Sequence, residues 1–149
     1  EPLPAVVARP YLSFEDSYTD FARAFERHLQ GAGARIATSA REGSATVEIT
    51  HDEVRQRVLS VSARNIPTEF ELTYSVTVAV QAEGRELMAP QVLSLTRDYS
   101  FDENRLLAKE HEQDVLRQQM ARDLAVIAAH RLASLRSGAT ATTAEPAAH

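Results

Sequence analysis

The chain has 149 residues, of which 44% are hydrophobic and 25% are charged, and this length predicts one domain at about 150 residues per domain. The ordinary composition excludes a collagen and a wholly disordered chain, and the lack of cysteine excludes a disulfide scaffold, a thiolate metal site and a cysteine nucleophile. The net charge of −5 argues against tight nonspecific binding to nucleic acid.

The first predicted elements are a short strand and an amphipathic helix. The apolar stretch within residues 4–8 suits a buried strand, which Pro10 ends. Residues 17–30 predict a helix because apolar side chains recur at steps of three and four. Its apolar face comprises Tyr18, Phe21, Ala22, Phe25 and Leu29.

The ends of this helix carry capping signals. Ser17 and Asp20 resemble a capping box, in which a hydroxyl and a carboxylate satisfy the first amides of the helix. Gly31 is expected to supply the left-handed residue at the other end.

Three stretches after the helix alternate as strands do. Residues 46–50 and 59–63 predict a strand pair, or one long strand with a bulge near residues 51–57. Residues 69–80 alternate most strongly and predict a sheet with one covered face and one wet face. Their apolar face comprises Phe70, Leu72, Tyr74, Val76, Val78 and Val80.

A turn at residues 83–85 leads into a second long strand over residues 87–101. Pro90 places that part of the strand at a sheet edge or a bulge, because proline has no N–H to donate. The apolar face of the strand is predicted to comprise Leu87, Ala89, Leu93, Leu95, Tyr99 and Phe101.

The last predicted element is a long helix over residues 104–136, ended by Gly138. Its buried stripe comprises Leu116, Met120, Leu124, Ile127, Ala128, Leu132 and Leu135. We predict one α+β domain over residues 1–137, with two helices packed on one face of a four-stranded sheet in the order β-α-β-β-β-α. Residues 138–149 are predicted to form a disordered tail.

No motif in the sequence predicts catalysis, a cofactor or a metal site. The glycines form neither a phosphate-binding loop nor a dinucleotide fingerprint, and no serine lies in a nucleophile elbow. A metal could use His111 with Glu110 or Asp114, but these residues suit a solvated first helical turn better. Glu69 and Glu71 are interpreted as solvation of the open sheet face.

Three cations are the candidate binding residues. Arg64 lies in a turn before the 69–80 strand, Arg97 lies on the next strand, and Lys109 lies near the start of the last helix. Cations at the ends of a sheet can hold phosphates by charge-assisted hydrogen bonds, and ordinary surface charge is the alternative.

Four segments together resemble the LptE family, also called RlpB, of lipopolysaccharide-assembly lipoproteins. The most specific is residues 107–114 (LAKEHEQD), and the others are residues 18–21 (YTDF), 69–72 (EFEL) and 97–102 (RDYSFD). The resemblance runs from about Pro4 to Leu135 and implies a fold of two helices against a four-stranded sheet.

The resemblance also implies a function. Family members are non-enzymatic outer-membrane lipoproteins that face the periplasm, plug the lumen of the β-barrel LptD, and help it insert lipopolysaccharide into the outer leaflet. It implies a lipidated cysteine as anchor; the sequence contains none, so the anchor is expected to precede Glu1.

By the same resemblance, Arg64 and Lys109 are the first candidates for lipopolysaccharide contact and Arg97 is a weaker one. Tyr11, Phe14 and Pro67 are candidates for contact with the barrel, or for local packing. The alternatives are another periplasmic accessory or binding lipoprotein, such as an auxiliary transport subunit, and a small hydrolase whose site is split between loops.

Overall fold

The computed structural model describes residues 3–102 and 104–135. Two helices, α1 and α2, lie on one face of a mixed four-stranded sheet whose strands are ordered β1-β2-β3-β4. The strands are β1 (Pro10–Phe14), β2 (Ala45–Val61), β3 (Pro67–Ala82) and β4 (Arg85–Ser100); the helices are α1 (Asp20–Gly31) and α2 (Leu106–Ala133). β1 runs parallel to β2, and the other neighbours are antiparallel. The predicted α+β class and element order are confirmed.

The sheet has the predicted covered and wet faces. On β3, all six apolar positions predicted to face inward are at most 4% exposed. All of them except Phe70 share one core with the buried faces of both helices, whose members include Phe21, Phe25, Met120 and Leu124. Burial of these side chains stabilises the fold by ~1.5–3 kcal/mol each.

β2 is a single long strand interrupted by the predicted bulge. Its pairing with β3 shifts between Thr50, which lies opposite Thr77, and Glu53, which lies opposite Ser75. One extra β2 residue is therefore accommodated here, and His51 adopts a positive φ of 51°.

The predicted strand over residues 4–8 is wrong, since Ala5–Val7 form a turn of 3-10 helix. The first strand instead begins at Pro10, the residue expected to end it. Proline is tolerated as the first residue of a strand, and the Pro10 carbonyl accepts a hydrogen bond from the Ala37 N–H at 2.8 Å.

Both predicted caps of the first helix are displaced along the chain. Thr19 is the N-cap, because its Oγ1 accepts a hydrogen bond from the Ala22 N–H at 3.0 Å. Tyr18 consequently precedes the helix and is 84% exposed, although the pattern placed it on the apolar face. Gly31 is still helical, and the positive φ of 95° belongs to Gly33.

The second hairpin departs from strict alternation near Pro90. The β3–β4 register shifts between the pairs Val78–Gln91 and Val80–Met88, so Met88 is buried and Ala89 is exposed. Ala89 was therefore wrongly assigned to the inner face, whereas the position of Pro90 at an irregularity of an edge strand is confirmed.

The last helix buries the predicted stripe, with Leu116 and Ile127 only partly buried. The helix ends earlier than predicted, at Ala133 with Ser134 as its C-cap, so the expected ending at Gly138 is wrong. The tail over residues 138–149 lies outside the described residues, so the domain boundary stays a prediction. Neither described helix is long and apolar enough to cross a membrane.

A half-buried polar junction joins α1 to the sheet. The Tyr74 hydroxyl accepts a hydrogen bond from the Phe21 N–H at 2.9 Å and donates one to the Asp52 carboxylate. Asp52 also accepts a hydrogen bond from the Thr19 hydroxyl at 2.5 Å. Burial raises the pKa of Asp52 above its ordinary value, and the hydrogen bonds from Thr19 and Tyr74 only partly oppose that rise.

We expect the substitution Asp52→Asn to alter how stability depends on pH. A carboxyl group whose pKa is raised in the folded state stabilises the fold below the unfolded pKa, and that contribution is lost as pH rises through the folded pKa. The free energy of unfolding of the wild type should therefore fall relative to that of Asp52→Asn as pH rises from about 4. Urea denaturation across pH measures this difference.

Glu48→Gln is the matched control, because it removes an exposed carboxylate from the same strand. The prediction fails if the difference between the wild type and Asp52→Asn is independent of pH or rises with it.

Candidate functional site

One end of the molecule gathers the β2–β3 turn, the end of β4 and the start of α2. The turn closes through the Ser62 N–H, which donates to the Ile66 carbonyl at 2.8 Å, and Asn65 adopts a positive φ of 65°. Asparagine tolerates this left-handed conformation. The Phe101 N–H donates to the Thr68 carbonyl at 3.0 Å, which holds the end of β4 beside the hairpin.

The ammonium group of Lys109 lies over aromatic rings at this end. Its Nζ is 4.7 Å from the ring centroid of Phe70 and 5.0 Å from that of Phe101. Both distances are within the range of a cation–π interaction. We call the rings of Phe70, Tyr99 and Phe101 the aromatic cluster; their centroids are 5.8–6.4 Å apart.

Tyr99 ties the aromatic cluster to the backbone of α2. Its hydroxyl lies 3.0 Å from the Lys109 carbonyl and 3.3 Å from Glu112 Oε1, and it can donate to either. Burial raises the pKa of Tyr99, and the neighbouring Glu112 carboxylate raises it further. The phenol therefore stays protonated as a donor, which fixes the first turns of the helix and so the stem of Lys109.

The structure brings two of the three predicted cations to the same end. Arg64 lies in the β2–β3 turn, where its N–H donates to Ser62 Oγ at 3.1 Å and its side chain is exposed. Arg64 also makes a further interaction. Arg64 and Lys109 thus both lie at this end, Arg64 on the β2–β3 turn and Lys109 on α2.

Arg97 is engaged elsewhere. Its guanidinium forms an ion pair with Asp123 on α2 at 3.2 Å. Asp123 lies about 21 Å beyond Lys109 along the helix axis at 1.5 Å per residue. The guanidinium of Arg97 is therefore paired with α2 and does not join the other two cations.

This arrangement suits an anion with an apolar portion. Lys109 presents a fixed ammonium, which can make charge-assisted hydrogen bonds to phosphate oxygens. The partly buried Phe101 and Tyr99 lie beside it and offer apolar surface.

The two glutamates singled out on the open sheet face have partners on the neighbouring strand. Glu71 forms an ion pair with Arg57 at 3.0 Å, and Glu69 accepts a hydrogen bond from Ser60 at 2.6 Å, in keeping with a solvated face. Among the residues that the structure describes, no three His, Asp or Glu side chains converge as a metal site would require, and this includes the segment around His111.

Sequence reasoning missed the aromatic cluster as part of the site. Phe70, Tyr99 and Phe101 were assigned to inner strand faces, which explained them fully as core residues. The available signal was their position at the ends of two adjoining strands, together with the only lysine of the chain at the start of the helix that covers those ends.

Comparison with solved structures shows the same fold in bacterial lipoproteins. The chain is 27% identical to rare lipoprotein B of Shewanella oneidensis, with a TM-score of 0.73, covering 85% of this chain and 94% of that one. It is 25% identical to an uncharacterized lipoprotein B of Nitrosomonas europaea, with a TM-score of 0.71 and coverage of 85% and 86%. A minor lipoprotein of Acinetobacter baumannii, 16% identical, shares the fold with a TM-score of 0.71 and coverage of 87% and 94%.

No curated protein sequence matches the chain significantly. The family model that matches is LptE, described as lipopolysaccharide-assembly, and it covers residues 11–127. This span includes all of α1, α2 as far as Ile127, all four strands apart from Pro10, and the end of the molecule that carries Arg64 and Lys109. The chain therefore belongs to the LptE family of lipopolysaccharide-assembly lipoproteins.

Proposed function

We propose that the chain is a non-enzymatic partner of the outer-membrane β-barrel LptD, which it plugs from the periplasmic side, and that it binds lipopolysaccharide for insertion into the outer leaflet. An N-terminal lipid anchor would hold it at the outer membrane. Membership of the LptE family supports the assembly role. The observation that carries the binding role is the ammonium of Lys109, fixed over Phe70 and Phe101 at the end that also bears Arg64.

The binding step rests on the chemistry of the ligand. Lipid A, the anchor of lipopolysaccharide, carries phosphate groups on an acylated core. Lys109 would bind a phosphate as a point charge, and the guanidinium of Arg64 would add a planar fork of donors. The chain carries a net charge of −5, so attraction for such a ligand must come from local groups of cations rather than from overall charge.

The plug role rests on the surface of the sheet. A chain inside a water-filled lumen needs a polar exterior, and the open face carries hydroxyl-bearing side chains on neighbouring strands. Thr73 and Thr96 hydrogen-bond across β3 and β4 at 3.0 Å, and Ser75 and Ser94 lie opposite each other. Tyr11, Phe14 and Pro67 stay candidates for barrel contact, although Phe14 packs against the core.

We predict that the double variant Arg64→Glu/Lys109→Glu binds lipopolysaccharide at least tenfold more weakly than the wild type. Each lost charge-assisted hydrogen bond is worth ~1.5–3 kcal/mol, and ~1.4 kcal/mol corresponds to a factor of ten. Binding of purified lipopolysaccharide to the folded chain measures the effect, with circular dichroism to verify the fold.

Arg41→Glu/Arg85→Glu is the matched control, because it reverses two exposed arginines outside this end. Equal affinity of the wild type and the Arg64/Lys109 variant would refute the binding role, as would equal losses in the two double variants.

We also predict energetic coupling between Lys109 and Phe101. A double-mutant cycle with Lys109→Met and Phe101→Leu should give ~0.5–1 kcal/mol of coupling in the free energy of unfolding, the value of a partly exposed cation–π contact. Urea denaturation of the four proteins measures it. Strictly additive losses would show that the aromatic cluster does not hold the ammonium.

The plug role predicts a stable complex. The full-length, lipidated chain, tagged and co-expressed with the LptD of its own host, should retain that barrel at about one copy each through purification in mild detergent, because an obligate interface buries more than ~2,000 Å². Recovery of a different partner at a fixed ratio, or of no barrel, would contradict the plug role and favour another accessory lipoprotein.

A further inference from the structure

A second group of cations lies on the outer surface of the helical layer, in the groove between α1 and α2. Two adjoining clefts of about 210 and 290 Å³ share the same three lining residues, Ala24, Arg27 and Arg122. Arg27 comes from α1 and Arg122 from α2, so the two guanidinium groups flank the groove from facing helices.

These two arginines differ from their neighbours in having no counterion. Within residues 3–102 and 104–135, the side chains of Arg27 and Arg122 form no ion pair, whereas Asp20 in the same groove pairs with both Arg23 and Arg117 at 2.8 Å. The hydrogen bond that Arg117 donates to the Asp20 carboxylate raises the pKa of Arg117, in keeping with a tight pair. Asp20, the acidic side chain that lines this groove, is therefore already paired with other arginines.

The larger cleft adds apolar surface beside the two cations. Val126 is 49% exposed and lines it together with Ala24 and His28. An exposed aliphatic side chain next to two guanidinium groups gives this cleft both an apolar and a cationic wall, which fits a ligand that is both charged and apolar.

We propose that this groove binds a phosphate monoester carried on an apolar group, with Arg27 and Arg122 clamping the phosphate and Val126 contacting the apolar part. Two guanidinium forks on facing helices present donors from two sides. A phosphate monoester has three terminal oxygens to accept them, whereas a single carboxylate has two. Phosphate is therefore the better match to the pair.

This site is separate from the end that bears Lys109. Arg122 lies about 20 Å beyond Lys109 along the axis of α2 at 1.5 Å per residue. The inference goes beyond the proposed function and does not depend on it, since a chain that failed to bind lipopolysaccharide through Lys109 would still present this groove.

The test titrates the folded chain with three probes while NMR follows the Nε–Hε signals of Arg27 and Arg122 and the methyl signals of Val126. The probes are monomeric dihexanoyl phosphatidic acid, inorganic phosphate, and dihexanoyl phosphatidylcholine, whose phosphate is a diester beside a positive charge. We expect phosphatidic acid to shift all three residues in a saturable way and phosphatidylcholine to shift none.

The variant Arg27→Gln/Arg122→Gln should weaken phosphatidic acid binding by about tenfold for each guanidinium removed. Arg41→Gln/Arg85→Gln, which removes the same charge from exposed positions elsewhere, should leave binding unchanged. The Arg64→Glu/Lys109→Glu variant should also keep it, so that failure of this inference and failure of the proposed function are distinguishable.

Comparison of the titrations also shows whether the recognised phosphate belongs to a lipid. Tighter binding of phosphatidic acid than of inorganic phosphate supports the proposal, whereas equal binding of both at Arg27 and Arg122 would overturn the apolar contact at Val126 and leave phosphate itself as the recognised group. The inference is overturned if neither probe saturates these signals, if phosphatidylcholine binds as well as phosphatidic acid, or if the Arg27/Arg122 variant binds as the wild type does.

Discussion

The arrangement of the sheet depends on one extra residue in β2. Before the bulge, Val47 and Ile49 face inward and are fully buried; after it, Val54 and Val58 still face inward, opposite Tyr74 and Phe70. A strand without the extra residue would turn every later side chain to the other face, and Glu53, Arg55 and Arg57 would then point at α2. The connection between β1 and α1 holds the bulge in place: Glu15 accepts a hydrogen bond from the His51 N–H at 2.8 Å, and Asp52 accepts one from Thr19.

The same bulge marks where full coverage of the sheet ends. Beyond it, the inner side chains Val54 and Val58 are 37% and 47% exposed, and a contact of α2 with this stretch is the hydrogen bond that Gln113 Nε2 donates to Gln56 Oε1 at 3.3 Å. Because few apolar side chains are fully buried in this part of the hairpin, other contacts are needed to keep it ordered. The aromatic cluster and the Tyr99 hydroxyl supply them, since they join β3, β4 and the start of α2. The contacts that order this end are thus the contacts that hold the ammonium of Lys109.

The three long strands were predictable because their alternation is a local signal, whereas the short first strand was misplaced, and the misplaced cap and the register slip depend on contacts distant in sequence. Alternation over residues 69–80 reports directly which side chains meet the core. Thr19 replaces Ser17 as the helix cap because Asp52, 33 residues away, engages the Thr19 hydroxyl. Ala89 is exposed because the register slips at Pro90 against β3. For the candidate site, the sequence pointed to Arg64 and Lys109, but the rings under the ammonium come from two strands, and their convergence is a property of the folded sheet.

The number of cations in the sequence does not distinguish Arg64, Arg97 and Lys109 from one another, and it does not single out Arg27 and Arg122. The partners of each cation in the folded chain do. Arg97, Arg23 and Arg117 each have an aspartate within 3.2 Å, and surface pairs of this kind contribute little stability but neutralise the charge presented to a ligand. Lys109 lies over rings rather than beside a carboxylate, so its charge remains available to an anion on its open side. Within the described residues Arg27 and Arg122 likewise form no ion pair, and they line the same clefts between α1 and α2. In this acidic chain, the groove between the helices and the surface around Lys109 therefore both present positive charge to an anion.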